Sequence, residues 1–303
     1  MQALAGVLVR WLLLAGVLVG LGAAVFRFAV LGRLASLVGA GADPDAAPVA
    51  RRGAALAVAA AVLVLLAAAG RLVLQILELR DPDLELAPQV HALFLRTTWG
   101  HDWFAQVGAA LALAIGGLAA RRGRRGGWLL VLVAAVVLAW TPAFAGHAIG
   151  SERMTALAVI ADGLHVLGAG SWLGAMTVLA SGLVLARRSG QGPIGAATVA
   201  AFSPLALAGS GLVVVSGLFS TWVHLTALSD LWASRWGRVL LLKLALLGAM
   251  MALGAWNWRR AGPALRASGD VGPMLRSVRA ELAVGALLVL VTAVLIGTPQ
   301  PGE

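Results

Sequence analysis

Residues 155–185 read TALAVIADGLHVLGAGSWLGAMTVLASGLVL, an apolar stretch interrupted by one aspartate, Asp162, and one histidine, His165. It is longer than the roughly 20 apolar residues a helix needs to cross a bilayer, so it reads as a membrane span. At about 100° per residue, Asp162, Ala169 and Trp172 fall within about 60° of His165. Gly163, Gly170 and Gly174 fall on the opposite side, and Gly170/Gly174 make a small-xxx-small pair that permits close helix approach. One side is expected to pack tightly while the other presents a carboxylate, an imidazole and an indole. That pattern belongs to a central helix with neighbours all round.

Asp162 and His165 lie on the order of 10–15 Å below the nearer membrane surface, at about 1.5 Å per residue. An ionisable pair at that depth costs several kcal/mol unless it has partners or water. Three readings follow: a self-satisfied Asp–His bond joining helices, a metal-ligating pair or ligand with its supporting carboxylate, or a proton relay.

The rest of the chain fits the same environment. It is 60% hydrophobic and 12% charged, with mean hydropathy +0.92. Apolar runs of spanning length also occur near Leu8–Val30, Ala54–Leu77, Trp103–Ala120, Gly127–Ala145, Ile194–Val223, Gly237–Trp258 and Val278–Ile296. The expected fold is all-α: a polytopic membrane protein, eight transmembrane helices in a bundle. Residues 1–303 form a single transmembrane domain, and no extramembrane piece is long enough to bury a core of its own. The first run is read as a retained helix, because Arg27 and Arg33 follow it where a small-residue cleavage site would stand.

Net charge +10 points here to topology rather than to nucleic acid. Arg33, Arg51 and Arg52, then Arg121, Arg122, Arg124 and Arg125, then Arg187 and Arg188, then Arg259, Arg260, Arg266 and Arg276 follow the odd-numbered spans. The opposite loops carry Arg80, Arg96, Arg153, Arg235 and Arg238. The positive-inside bias puts the richer set in the cytoplasm and both termini in the periplasm. Trp99, Trp103, Trp222, Trp232 and Trp236 mark the outer interface; Trp128, Trp256 and Trp258 mark the inner one. The lack of cysteine removes disulfides and thiolate ligands. No phosphate-binding loop or phosphorylation motif is present, and no enzymatic activity is expected.

Threading these spans puts His91, His101, His147 and His224 at the outer edge and His165 about halfway across. Imidazole is a common metal ligand and a costly guest in lipid, so the set reads as a metal path. Pro142 loosens the end of the fourth span and brings His147 beside the start of the fifth. The stretch Glu78–Asp102 is read as an acidic outer loop, either simply solvated or a cation-collecting mouth. Arg71, Gln75 and Glu78 are read as a structural ion-pair cluster. Met176, Met250 and Met251 read as packing. Imidazole and carboxylate ligands without cysteine suit Cu(II), or Zn, Ni or Fe(II), better than Cu(I), and the affinity order favours copper. Lys243, the only lysine, either snorkels to the outer interface or pairs with Asp162 or Glu281. Asn257 and Glu281 stand near the cytoplasmic ends of the last two spans.

Asp162-Gly-Leu-His165 followed by Ser171-Trp172-Leu-Gly174 resembles the D-x-x-H…W-x-G helix of the copper resistance protein D (CopD) family. Phe202-Ser-Pro-Leu-Ala, Ser216-Gly217-Leu, Trp236-Gly-Arg-Val-Leu-Leu-Leu-Lys243, Asn257 before Arg259, and Glu281-Leu continue the likeness, which marks a core over residues 160–301. Gly146-His147-Ala and Thr97-Thr-Trp-Gly100 extend it upstream, and Trp236 stands where tyrosine is frequent. The resemblance implies a bacterial inner-membrane protein that takes up copper from a periplasmic CopC-like partner. The ion route then expected runs from a metal-binding set of His147, His165, Asp162, His101, His224 and His91 past Trp172, Lys243, Asn257 and Glu281 as pathway or gating residues. The copper oxidation state, Cu(I) or Cu(II), and a homo-oligomeric state stay open. Two other readings stand beside transport: a copper-handling assembly subunit for a cuproenzyme, and a haem-binding redox protein. The haem reading needs histidines on facing helices at two depths, whereas His165 is the one deep histidine.

Overall fold

The computed structural model describes residues 2–38, 43–81, 83–145, 155–225 and 227–301, and among these the regular elements are helical. The chain runs as α1 (Gln2–Val25), a π-helical turn (Phe26–Val30), α2 (Leu31–Val38), α3 (Asp43–Leu79), α4 (Leu86–Arg96), α5 (Thr98–Arg121) and α6 (Arg125–Ala145). It continues as α7 (Thr155–Ala169), a π-helical turn (Gly170–Gly174), α8 (Ala175–Arg188), α9 (Gly192–His224), α10 (Asp230–Ala233) and α11 (Arg235–Trp256). A third π-helical turn (Asn257–Ala261), α12 (Gly262–Ser268) and α13 (Val271–Ile296) complete it.

Seven helical stretches are long and apolar enough to cross a membrane: Gln2–Val38, Pro48–Leu79, Thr98–Arg121, Ala156–Arg188, Gly192–Val223, Arg235–Ser268 and Val271–Ile296. The fourth expected span falls on α6, where the described apolar stretch, Gly126–Pro142, is shorter. Several helices outrun their expected limits. The linker expected at residues 31–53 holds α2 and the first turns of α3, and the one at 261–275 holds α12. Pro48 and Pro204 are accommodated inside α3 and α9.

Side-chain contacts fix which helix ends lie together. At one end, the space beside Gly70 of α3 is filled by Val9 of α1, and Arg71 of α3 pairs with Asp102 of α5. Gln106 of α5 donates to Thr141 of α6, and Trp140 of α6 covers Gly163 of α7. Leu225, Trp236 and Leu295 gather the end of α9, the start of α11 and the end of α13. Arg10 of α1 closes the ring by donating to the Ala293 carbonyl of α13 (3.4 Å). The first and last helices therefore meet at the end of the bundle where α5 starts and α9 finishes. At the opposite end Gly53 meets Trp128 and Val178, and Gly192 abuts the Gly269 backbone. The odd-span arginine groups lie at this basic end.

The α7–α8 span occupies the centre, as its two-sided pattern implies. A Cβ on Gly174 would collide with the Leu18 carbonyl of α1, and one on Gly22 would collide with the Gly174 backbone. Gly170 receives Leu21 of α1, and Gly168 and Gly209 bring α7 and α9 into backbone contact. From the far side Gly285 of α13 seats Leu173. Small residues let these backbones meet, so the association is van der Waals packing over a close interface.

The stretch 78–102 is not an open loop. It folds into α4, with Gln89 holding the preceding turn: its Nε2 donates to the carbonyls of Asp81, Leu84 and Glu85, and its Oε1 accepts from the Asp81 N–H. Thr97 then caps α5, its hydroxyl accepting from the Gly100 N–H (3.1 Å).

Candidate functional site

Two polar layers interrupt the apolar bundle. The first is built on α7 and α9. Ser220 donates to Asp162 Oδ1 (3.1 Å), and Ser216 Oγ lies 3.1 Å from His165 Nδ1. Ser216 and Ser220 are one turn apart on α9, as Asp162 and His165 are on α7, so two hydroxyls face a carboxylate and an imidazole. Gly217 leaves room for the ring, since a Cβ there would come 3.2 Å from His165 Cε1. Trp172 packs against Gly209, seven residues before Ser216 on the same side of α9, so His165 and Trp172 address one helix.

The hydrogen-bond distances favour one tautomer of the imidazole. Ser216 donates its single proton to the Leu212 carbonyl (2.5 Å), so its oxygen accepts from the ring. His165 Nδ1 therefore carries the hydrogen, and in the neutral ring Nε2 keeps a lone pair able to bind a metal ion. This is the arrangement metal-ligating histidines adopt when the other ring nitrogen donates to a fixed acceptor.

Lys243 of α11 brings a third element to this layer. Its ammonium is in Coulombic reach of Asp162 and of His165. The side chain is half-buried. Opposite charges stabilise one another strongly where little water screens them.

The second layer lies nearer the basic end. Asn257 Nδ2 donates to Glu281 Oε2 (2.7 Å), joining the end of α11 to α13. Both residues are buried, and Asn257 Oδ1 is a buried polar atom without a hydrogen-bond partner. Lys243, Met250 and Asn257 recur at seven-residue intervals, hence on nearly one face of α11, and Met250 between them is 0% exposed. The two layers are about 21 Å apart along the helix, at about 1.5 Å per residue.

The remaining histidines divide. His91 on α4 and His101 in the first turn of α5 are exposed at the end where α9 finishes. The backbone of His224 closes α9 at that end, and His147 lies outside the described residues. Among the described residues no three histidine or carboxylate side chains gather as a metal site. Asp102 is engaged elsewhere: Arg71 donates to it (3.3 Å) and to Gln106 (2.9 Å), and stacks over Trp99. Arg71 thus joins α3 to α5 instead of forming a cluster with Gln75 and Glu78 on its own helix. Sequence reading named Ser216 only within the family likeness, without its tie to His165, and missed Ser220, although their four-residue spacing matches a polar helix stripe.

Sequence comparison adds a second line of information. The family described as copper resistance protein D-like, N-terminal domain, matches residues 1–157. That match covers more than half of the chain, and copper resistance protein D itself matches residues 196–295. The chain belongs to the copper resistance protein D family. It is 28% identical over 218 residues to the copper transport protein CutJ of Bacillus subtilis (strain 168), an alignment covering 71% of this chain and 39% of that protein. The chain thus spans about two fifths of the length of this curated relative. No solved structure matches it. Both polar layers draw on the segment shared with copper resistance protein D, which holds Ser216, Ser220, Lys243, Asn257 and Glu281, while Asp162 and His165 precede it.

Proposed function

We propose that this member of the copper resistance protein D family moves copper across a bacterial inner membrane, with the Asp162–His165 layer as its internal binding station. The positive-inside bias assigns the basic end to the cytoplasm and both termini, with His91, His101 and His224, to the periplasm, on an eight-span count that includes α6. A CopC-like periplasmic protein is the expected donor. Copper enters past exposed His91 and His101, reaches His165 Nε2 with Asp162 neutralising its charge, and continues toward the Asn257–Glu281 layer.

The observation that carries this reading is the Ser216–His165 bond. It fixes an imidazole inside the membrane beside a carboxylate that accepts from Ser220. Lys243 acts as an internal counter-ion: it balances Asp162 while the station is empty and repels a second cation while it is filled. The CutJ likeness supports copper as the cargo.

The test is radioactive copper accumulation in cells producing wild-type protein, His165→Ala or Asp162→Asn at equal membrane levels. Loss of a first-contact group is expected to lower uptake by at least about tenfold. Wild-type uptake in both variants overturns the route. A copper-handling assembly subunit is told apart by vesicles containing the purified protein, since such a subunit binds copper without moving it inward.

A further inference from the structure

Glu281 is 3% exposed and Asn257 is 9% exposed, and one hydrogen bond joins them. That bond leaves one buried oxygen without a donor. Asn257 Oδ1 has no donor, and Glu281 Oε1 faces the bare backbone of Gly254, where a Cβ would come 3.2 Å away. A carboxylate with a single amide donor and no cation is costly to bury. The Arg71–Asp102 ion pair (3.3 Å) lies far from this point.

The charged groups on the packed elements do not relieve it. Arg259 and Arg260 follow Asn257, Arg266 lies on α12, and Arg276 and Arg279 lie on α13 itself; all five are exposed. On the other packed helices the charges stand toward the ends: Arg187 and Arg188 finish α8, while Arg10 of α1 and Lys243 of α11 lie toward the opposite end.

We propose that Glu281 and Asn257 form a proton-binding site, in which Glu281 is a carboxylic acid that shares its proton with Asn257 Oδ1. An acid and an amide close a ring of two hydrogen bonds. Nδ2–H donates to Oε2, as observed, and Oε1–H donates to Oδ1 after rotation about the soft terminal carboxyl torsion. The proton satisfies the orphan oxygen and removes the buried charge together. A bound hard cation fits less well: the oxygens here are Oδ1 and the carboxylate pair, whereas Ca²⁺ takes about six to eight oxygen ligands. Neither residue belongs to the copper station.

A consequence for transport follows, and it rests on the copper reading above. When a cation passes the α11–α13 seam, Glu281 releases its proton to water at the basic end, and the carboxylate left behind is neutralised by the ion. Met250 buried above Asn257 and the absence of other polar residues on α11 between positions 243 and 257 leave Glu281 as the group on this seam able to exchange a proton.

The experiment is infrared spectroscopy of the full chain in lipid, comparing wild type with Glu281→Gln and Asn257→Leu at neutral pH. The expected result is a protonated-carboxyl C=O band in the wild-type minus Glu281→Gln difference, shifted in frequency in Asn257→Leu. No such band means an ionised Glu281 and overturns the site. A band unmoved in Asn257→Leu overturns the shared proton, and this second variant keeps the carboxyl in place should Glu281→Gln fold poorly. The coupling is read separately, in vesicles holding a pH-sensitive dye and supplied with copper alone. Copper-driven pH change that vanishes in Glu281→Gln is expected; uptake with no pH change in wild type overturns coupling. Vesicles that take up no copper contradict the transport reading instead, and leave the infrared result standing.

Discussion

Gly22 of α1 and Gly174 of the central π-helical turn lie backbone against backbone, so that a Cβ on either meets the main chain of α1 or of the turn. This contact braces the span that carries Asp162, His165 and Trp172. A larger residue at position 174 must separate two helices that also pack through Leu18 and Leu21. Gly174→Val is expected to lower thermal stability in detergent, by at least the roughly 1–3 kcal/mol typical of overpacked interiors. Gly211 lies in the same bundle, but a Cβ there would meet nothing within 4 Å. It serves as the control: Gly211→Val leaves the melting profile unchanged. Equal effects at both positions contradict the brace.

The Ser216 hydroxyl is expected to matter through His165 alone. Ser216→Ala removes the acceptor for Nδ1–H and frees the ring to take its other tautomer, weakening copper binding by about 10–100-fold, the usual scale for a group that orients a ligand. Isothermal titration of the purified protein checks this. Gly217→Ala, which crowds Cε1 without touching a hydrogen bond, gives a smaller loss in the same direction.

Arg71 joins α3, α5 and α6 through Asp102 and Gln106, and its side chain and that of Asp102 are only 15% and 7% exposed. Arg71→Ala strands a buried carboxylate, at a cost of about 3–5 kcal/mol. The pair variant Arg71→Met with Asp102→Leu recovers most of that stability, because no charge is left unpaired. Thermal melting of the three proteins in detergent distinguishes the outcomes, and a double variant no better than Arg71→Ala contradicts the ion-pair explanation.

With no native cysteine, the chain suits single-cysteine labelling. Cysteine at His101 or Ser229 is expected to react with a membrane-impermeant thiol reagent from the periplasm, and cysteine at Arg122 or Ser189 only after the cells are opened. The reverse pattern would invert the proposed direction of copper movement.

Much of this arrangement was legible in the sequence, for identifiable reasons. Leu, Val and Ala runs bounded by arginines mark seven spans that are long enough to cross, with the eighth expected run falling on the shorter stretch of α6, and the helical period alone separates Asp162, His165 and Trp172 from the glycines that pack on α1 and α6. Other features were not. The π-helical turns at Phe26–Val30, Gly170–Gly174 and Asn257–Ala261 add backbone without changing hydropathy, so no apolar pattern reveals them. The partner of Arg71 is on another helix, while the sequence offers Gln75 and Glu78 at tempting spacing on its own. Ser216 and Ser220 are small polar residues in an apolar span, and only the approach of α7 turns them into hydrogen-bond partners. The acidic stretch before α5 looks like a loop because its helix, α4, is short and contains Pro88.

Copper uptake into vesicles containing only the purified protein and lipid, compared between wild type and His165→Ala, bears on the internal station without intermediaries. Wild type is expected to carry copper inward and His165→Ala to slow the flux by at least about tenfold, while Gly211→Val, where a Cβ meets nothing within 4 Å, retains most of it. Equal flux through wild type and His165→Ala would contradict the route, because copper would then be crossing without using the imidazole that Ser216 holds in place.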